Sequence, residues 1–427
     1  MKKLPALLLA GVAVLAVGAA ALVWRLNLRD ETAIAAGPPP AASAEQVARG
    51  AYLARAGNCM TCHTTRGGTP YAGGLGIDTP FGTVYSSNLT PDEATGLGRW
   101  TPDHFWRAMH NGRAADGRLL YPAFPYPNYT QVTRADSDAL YAYLRSLPAT
   151  ARPNTPHALR WPFSTQPALA VWRALYFSPG VYETDTAQSA EWNRGAYLVR
   201  GLGHCAACHT ARNVLGATDD RLDLAGGLIP MQNWYAPSLT SDTEAGLAGW
   251  DTPHIVSLLK TGVSPRGSTI GPMAEVVLRS TQYLSDGDLG AMAAFLKSLP
   301  PTPAEPAPRS APPPARVATR GAKLYEQHCV QCHGDTGQGV PGAYPALAGN
   351  RAITLDPPAN LVQIVLNGGF APATAGNPRP YGMPPYALVL SDADLAAVLT
   401  HVRNAWGNRA PEVTELQVNR YRTTSRQ

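Results

Sequence analysis

The sequence predicts a mainly α-helical fold: three small helical units in tandem, preceded by a helix able to cross a membrane. Three observations predict it. The pattern Cys-x-x-Cys-His occurs three times, at Cys59–His63, Cys205–His209 and Cys329–His333. Each copy follows an Arg-Gly-Ala signature and precedes an amphipathic segment with a helix-start signal. The N-terminus carries an uncharged apolar run from Leu4 to Trp24. At 427 residues the chain exceeds one ordinary core, as several units require.

In chain order, residues 1–28 are a membrane anchor or signal segment. The apolar run is long enough to span a bilayer, Lys2 and Lys3 would stay on the cytoplasmic side, and Trp24 suits the interface. Ala33-Ile34-Ala35 offers a cleavage site well beyond the run, so an uncleaved anchor is favoured; either way the rest is exported. Residues 29–43, with Gly37-Pro38-Pro39-Pro40, form a linker. Unit one covers 44–150: Arg49-Gly50-Ala51-Tyr52-Leu53 lies in an opening helix, and Leu140, Tyr143, Leu144 and Leu147 mark a closing helix that starts at Thr133-x-x-Asp136 and stops at Pro148. Residues 151–185 hold Trp161, Phe163, Trp172, Tyr176 and Phe177, which predicts a linker packed on its neighbours. Unit two covers 186–300, with Arg194-Gly195-Ala196-Tyr197-Leu198, the start signal Ser285-x-x-Asp288, the helical spacing Leu289, Met292, Leu296 and Leu299, and the stop Pro300. A proline-rich spacer occupies 301–315. Unit three covers 316–406, with Arg320-Gly321-Ala322-Lys323-Leu324, Ser391-x-x-Asp394, and Leu395, Val398, Leu399 and Val402. The tail 407–427 is polar and expected to be frayed or partner-bound.

The chemistry lies in the motif. Two cysteines at this spacing form thioethers with the two vinyl groups of one haem, and the adjacent histidine ligates its iron. Half of a zinc site would need a regular second ligand pair, and a redox dithiol would follow a strand in a βαβ unit; neither pattern is present. The expected cofactors are three covalent haems c, held by Cys59 and Cys62, Cys205 and Cys208, and Cys329 and Cys332, with His63, His209 and His333 as iron ligands. These pairs use all six cysteines, so an iron–sulfur cluster or nucleophilic thiol would belong to another chain. A net charge of +5 without a basic, aromatic-rich stretch gives no sign of nucleic-acid binding.

For the sixth iron ligand, Met383 in Tyr381-Gly382-Met383-Pro384-Pro385 and Met273 in Gly271-Pro272-Met273 sit in loops before the closing helices of units three and two. In unit one, aligning Gly112 with Gly262 brings Phe124 to within one residue of Met273, and phenylalanine cannot ligate. The same alignment makes Met109 a core position and His110 a surface one, so the first sixth ligand stays open between His110, Met109, His104 and none. His204 and His328 directly precede a cysteine pair, and these, with Arg66, Arg212 and Arg351, are candidates for contact with a haem propionate.

With these residues the chain resembles the three-haem cytochrome c subunits of membrane-bound bacterial dehydrogenases. The resemblance runs from Val47 to Val402 and is most specific at the haem motifs, Tyr121–Tyr126, Gly271–Val277 with Ser280–Tyr283, and Met383-Pro384-Pro385. It implies three class I cytochrome c-like domains and an electron-transfer subunit rather than an enzyme. The implied partners are a large dehydrogenase subunit, a small iron–sulfur subunit, and ubiquinone or a terminal oxidase as acceptor, with the haem domains on the periplasmic side of the inner membrane. Alcohol and gluconate branches carry Met as axial ligand in the segment where this chain has Phe124, so that ligand does not transfer, and the departure resembles the branch that accompanies molybdenum hydroxylases of aldehydes and N-heterocycles. Two alternatives remain at this stage: a peroxidase-like enzyme with an open first haem, and a stand-alone or oxidase-associated electron carrier.

Overall fold

The computed structural model describes residues 3–28, 31, 34, 41–219, 221, 223–302 and 312–424. Most of both proline-rich linkers, and Ala33 and Ala35 of the expected cleavage site, lie outside the described residues.

Helix Lys3–Asn27 is apolar enough to cross a membrane, and its apolar window is almost wholly exposed. Its C-terminal end meets helix Gln166–Tyr176: Asn27 donates to the Ala170 carbonyl at 2.9 Å and accepts from Arg173 Nε at 2.8 Å. The linker packs on its neighbours partly through its aromatic residues, Phe163 against Phe81, Phe177 against Tyr126 and Trp172 Nε1 donating to the Leu215 carbonyl, and also through Leu169 and Arg173, while Trp161 is 82% exposed.

Three times, an opening helix crosses a closing one: Ala44–Ala56 with Arg134–Arg145, Ala190–Tyr197 with Asp286–Ser298, and Ala315–His328 with Asp392–Asn404. The glycine of each Arg-Gly-Ala stands at the crossing. A Cβ on Gly50, Gly195 or Gly321 would come within 1.9, 1.9 or 2.2 Å of the carbonyl oxygen of Ala139, Ala291 or Ala397. The arginine beside each glycine pairs with the aspartate of the closing helix's start signal: Arg49 with Asp136, Arg194 with Asp288, Arg320 with Asp394. All three closing helices are N-capped, by Thr133, Ser285 and Ser391 accepting from the backbone N–H three residues on.

The repeats differ between arginine and first cysteine. Cys59 stands ten positions after Arg49, Cys205 eleven after Arg194, and Cys329 nine after Arg320. The longest spacing is taken up by a π-helical turn at Leu198–Leu202, the usual way a helix absorbs an extra residue. The shortest lets helix Ala315–His328 run straight to its cysteine.

Two apolar cores result. One joins the first two helix pairs, through Leu53, Leu140, Leu144, Leu198, Leu202, Leu289 and Phe295. The other belongs to the third pair, through Tyr325, Val362, Leu395 and Val402. The strands are short and antiparallel: Gly82–Tyr85 lies between Gly76–Thr79, in the register Ile77↔Val84, and Ala158–Leu159 of the linker, and the others form two-stranded pairs. The tail expected to be frayed is folded as far as Thr424: Val413 and Val418 enter the second core, and helix Glu415–Thr424 packs on Asp392–Asn404. Arg422 fastens it by donating to Asp392 and to the carbonyls of Ala387 and Leu390. Two buried valines outweigh the polar composition around them.

Candidate haem sites

Each Cys-x-x-Cys-His lies on one helical turn, at Cys59–Cys62, Ala206–His209 and Val330–His333. The closing bond is the same each time: the histidine N–H donates to the first cysteine's carbonyl, at 3.1 Å from His63 to Cys59, 2.9 Å from His209 to Cys205 and 3.0 Å from His333 to Cys329. Helical periodicity thereby gathers both thiols and the imidazole on one side of the turn.

The imidazoles are oriented by a second repeated contact. Nδ1 lies 2.7 Å from the Ser87 carbonyl in His63, 2.8 Å from the Pro237 carbonyl in His209 and 3.0 Å from the Pro345 carbonyl in His333. A carbonyl only accepts, so each Nδ1 carries the proton and each Nε2 presents its lone pair, as a metal-ligating histidine does. Burial lowers the pKa of all three, against the smaller opposing effect of that hydrogen bond, and favours the neutral ring. These carbonyls were not foreseen from the sequence. A signal was available: Ser87, Pro237 and Pro345 each stand two residues before a leucine, Leu89, Leu239 and Leu347.

The rival chemistries fit poorly. Among the described residues no three His, Cys, Asp or Glu side chains are grouped to hold a metal ion, as zinc would require. The six thiols are unpaired, and burial pushes Cys59 and Cys205 up to about 12 and Cys329 up to about 11, the reverse of an activated dithiol. Unpaired thiols open to the surface on the same turn as a neutral imidazole with a free Nε2 do fit covalent haem. In unit two, Trp250 Nε1 is a buried donor without a protein partner.

The candidate sixth ligands are placed as follows. Met383 lies in the two-residue strand Gly382–Met383, partly buried against the second core. Met273 is also partly buried, but it sits in the first turn of helix Gly271–Arg279 rather than in a loop, because Pro272 starts that helix. In unit one, Gly112 and Gly262 both end a helix with positive φ, so the alignment that paired them is sound. Phe124 packs against Tyr126 and Tyr129. Met109 is in the core, as expected. His110 is not on the surface: it is fully buried, stacked on Trp106 at 4.6 Å, with Nδ1 2.9 Å from the Thr130 carbonyl. His104 is a capping residue, its Nδ1 receiving the Thr101 N–H at 3.2 Å. Of the propionate candidates, Arg212 is spent on the carbonyls of Ala207 and Gly216, both at 2.7 Å, while Arg66 and Arg351 are exposed. His204 is held edge-on against Tyr129 and His328 against Tyr386.

Comparison with known proteins shows which family the chain resembles. The family model described as Cytochrome c matches residues 47–148 and 318–406. The chain is 39% identical over 402 residues to the cytochrome c subunit of quinone alcohol dehydrogenase from Gluconacetobacter polyoxogenes, covering 90% of this chain and 86% of that one. It is 38% identical over 384 residues to the cytochrome c subunit of gluconate 2-dehydrogenase from Pantoea cypripedii, covering 85% and 86%. It is 41% identical over 429 residues to one of the subunits of nicotinate dehydrogenase from Pseudomonas putida, covering 96% of this chain but 35% of that longer protein.

Proposed function

The chain belongs to the cytochrome c subunits of dehydrogenase complexes and is an electron-transfer subunit carrying covalent haem c, and on that premise we propose that it holds three such haems, in units spanning 44–150, 186–300 and 316–406. The observation that carries the proposal is the threefold recurrence of one arrangement: two unpaired, solvent-reachable thiols on a helical turn, and an imidazole whose Nδ1 is tied to a carbonyl, which leaves the lone pair on Nε2. Cys59 and Cys62, Cys205 and Cys208, and Cys329 and Cys332 form the thioethers; His63, His209 and His333 ligate, with Met273 and Met383 as sixth ligands in units two and three. In unit one, Met109 is packed in the core and His110 is stacked on Trp106, which favours leaving the sixth position without a protein ligand. Haem c supplies a one-electron iron centre whose potential the axial ligand and its surroundings tune. The polypeptide contributes ligand orientation, neutral imidazoles and an apolar enclosure.

The electron donor is a large dehydrogenase subunit, with a small iron–sulfur subunit as intermediary. We favour a molybdenum-dependent oxidoreductase of aldehydes or N-heterocycles, on Phe124 and on the likeness to a component of nicotinate dehydrogenase, nicotinate being an N-heterocycle. The acceptor is ubiquinone or a terminal oxidase. Helix Lys3–Asn27 anchors the chain in the inner membrane with the haem units on the periplasmic side; the support is its apolar exposed surface and the docking of its end on Gln166–Tyr176.

The test is to express the full chain with the haem-attachment machinery and count haem by the pyridine haemochrome assay. Three per chain are expected, and two after replacing both cysteines of any one motif by alanine. Fewer than three in the wild type would refute the count. Purification from native membranes tests the partner: copurifying molybdenum supports the favoured donor, whereas a flavin or quinone-cofactor subunit replaces it.

A further inference from the structure

The tyrosine of the Arg-Gly-Ala-Tyr signature does not stay within its own unit. Tyr52, on the first opening helix, reaches the second closing helix and donates to Asp288 Oδ2 at 2.6 Å, while its oxygen accepts the Ser285 N–H at 3.1 Å. Tyr197, on the second opening helix, does the same in return, donating to Asp136 Oδ2 at 2.6 Å and accepting the Thr133 N–H at 3.2 Å. Each aspartate is meanwhile held by the arginine of its own unit: Arg49 Nε to Asp136 at 2.6 Å and Arg194 Nε to Asp288 at 2.8 Å. Equivalent residues therefore make equivalent contacts in both directions, the self-complementary pattern of a two-fold interface, here built within one chain.

Unit three is built out of this arrangement. Lys323 stands where the tyrosine would be, and Asp394 takes the Ser391 hydroxyl at 2.6 Å and Arg320 at 2.8 Å. Its core is separate, and it meets unit two through an amide pair, Asn360 with the backbone of Tyr235 at 2.8 and 2.7 Å, and through Thr374, which donates to the Thr261 carbonyl at 3.2 Å.

The same two-fold interface carries the segments that lead into the first two cysteine pairs. Tyr129 donates to the Gly57 carbonyl at 3.2 Å and packs edge-on against His204 at 5.6 Å, and Ser280 donates to the Ala56 carbonyl at 3.3 Å. Gly57 is two residues before Cys59 and His204 one before Cys205. Electron tunnelling falls off exponentially with separation, so whatever fixes this interface fixes exchange across it.

We propose that Tyr52 and Tyr197 are paired positioning residues that lock the first two haem sites into one electron-exchanging unit, in which one site is oxidised as the other is reduced, while the third site is poised independently. This rests on the haem assignment above. In the haem-loaded full chain, Tyr52→Phe, Tyr197→Phe and the double variant keep the ring packing and lose both hydrogen bonds of each tyrosine. The readouts are haem count, the bisignate Soret circular-dichroism couplet of two closely held haems, and the stepwise reduction potentials. The wild type is expected to show the couplet. The double variant is expected to keep the wild-type haem count, lose at least half of the couplet, and show a smaller influence of one haem's oxidation state on the other's potential; each single variant falls between. A wild type without a couplet, or a fully haem-loaded double variant with an unchanged couplet and unchanged potentials, would overturn the proposal while leaving the haem count standing. Should the double variant not fold, Tyr197→Phe alone decides on the same readouts. A fall in melting temperature with both redox readouts unmoved assigns the tyrosines a structural role only and equally overturns it.

Discussion

Replacing Gly195 by alanine sets two known effects against each other at one atom. Alanine is the better helix former, worth about 1 kcal/mol over glycine in a helix interior. Against this, the new Cβ would lie 1.9 Å from the Ala291 carbonyl oxygen, 2.5 Å from its carbon and 2.9 Å from the Phe295 Cβ. The obstacle is backbone in the middle of helix Asp286–Ser298, so the whole helix must retreat by more than an ångström to restore ordinary contact. Overpacking a well-filled core costs about 1–3 kcal/mol, and more when backbone must move. Gly195→Ala should therefore destabilise the second unit by about 2 kcal/mol or more net of propensity. Gly290 lies on the same helix one residue from Ala291, yet its Cβ would meet only Glu191 Oε1, at 3.8 Å. Gly290→Ala should stabilise, by about 0.5–1 kcal/mol. Amide hydrogen exchange on Ala190–Tyr197 and Asp286–Ser298 reads both variants locally, which suits a chain of several units better than one global midpoint. If Gly195→Ala protects these helices as Gly290→Ala does, the close helix crossing is not a determinant of the fold.

Other expectations follow from single contacts. Burial opposes ionisation of Asp288, but the Arg194 guanidinium and the Tyr52 hydroxyl outweigh it and hold its carboxyl below the usual range. A depressed folded pKa adds stability above the unfolded value of about 4 and loses it as pH falls through the folded one. Asp288→Asn should thus be less stable at neutral pH and show a flatter stability profile below about pH 4; two superimposable profiles would remove the carboxylate from the account. Arg422→Ala should cost about 2 kcal/mol by leaving Asp392 and the Ala387 and Leu390 carbonyls without their donor; limited proteolysis should then release Glu415–Thr424, and unchanged resistance would count against the folded tail. Met383→Leu and Met273→Leu should each lower the reduction potential of one haem, followed by spectroscopic redox titration, because methionine ligation raises it; a potential that does not move excludes that methionine.

Much was legible in the sequence because it is local. A Cys-x-x-Cys-His turn, a Ser-x-x-Asp start and an i, i+3, i+4, i+7 stripe each act within a turn or two of helix, so one stretch of chain contains both cause and effect. Cysteine pairs, capped closing helices and the apolar N-terminal helix all stand where those signals put them. The repeated Arg-Gly-Ala was visible as a repeat, but not its meaning. That Gly195 exists to let Ala291 approach, and that Tyr197 is meant for Asp136 rather than for its own Asp288, depends on partners some sixty to a hundred residues away. His110 and the tail were misjudged for the same reason: polar side chains read as surface until a stacked Trp106, a waiting carbonyl or a groove for Val413 and Val418 is at hand. The sequence by itself determined the attachment motifs and the helices that frame them, through short-range periodicity. Only the tertiary structure decided which units face each other, because a hydrogen bond between distant residues has no signature in either neighbourhood until folding brings the two together.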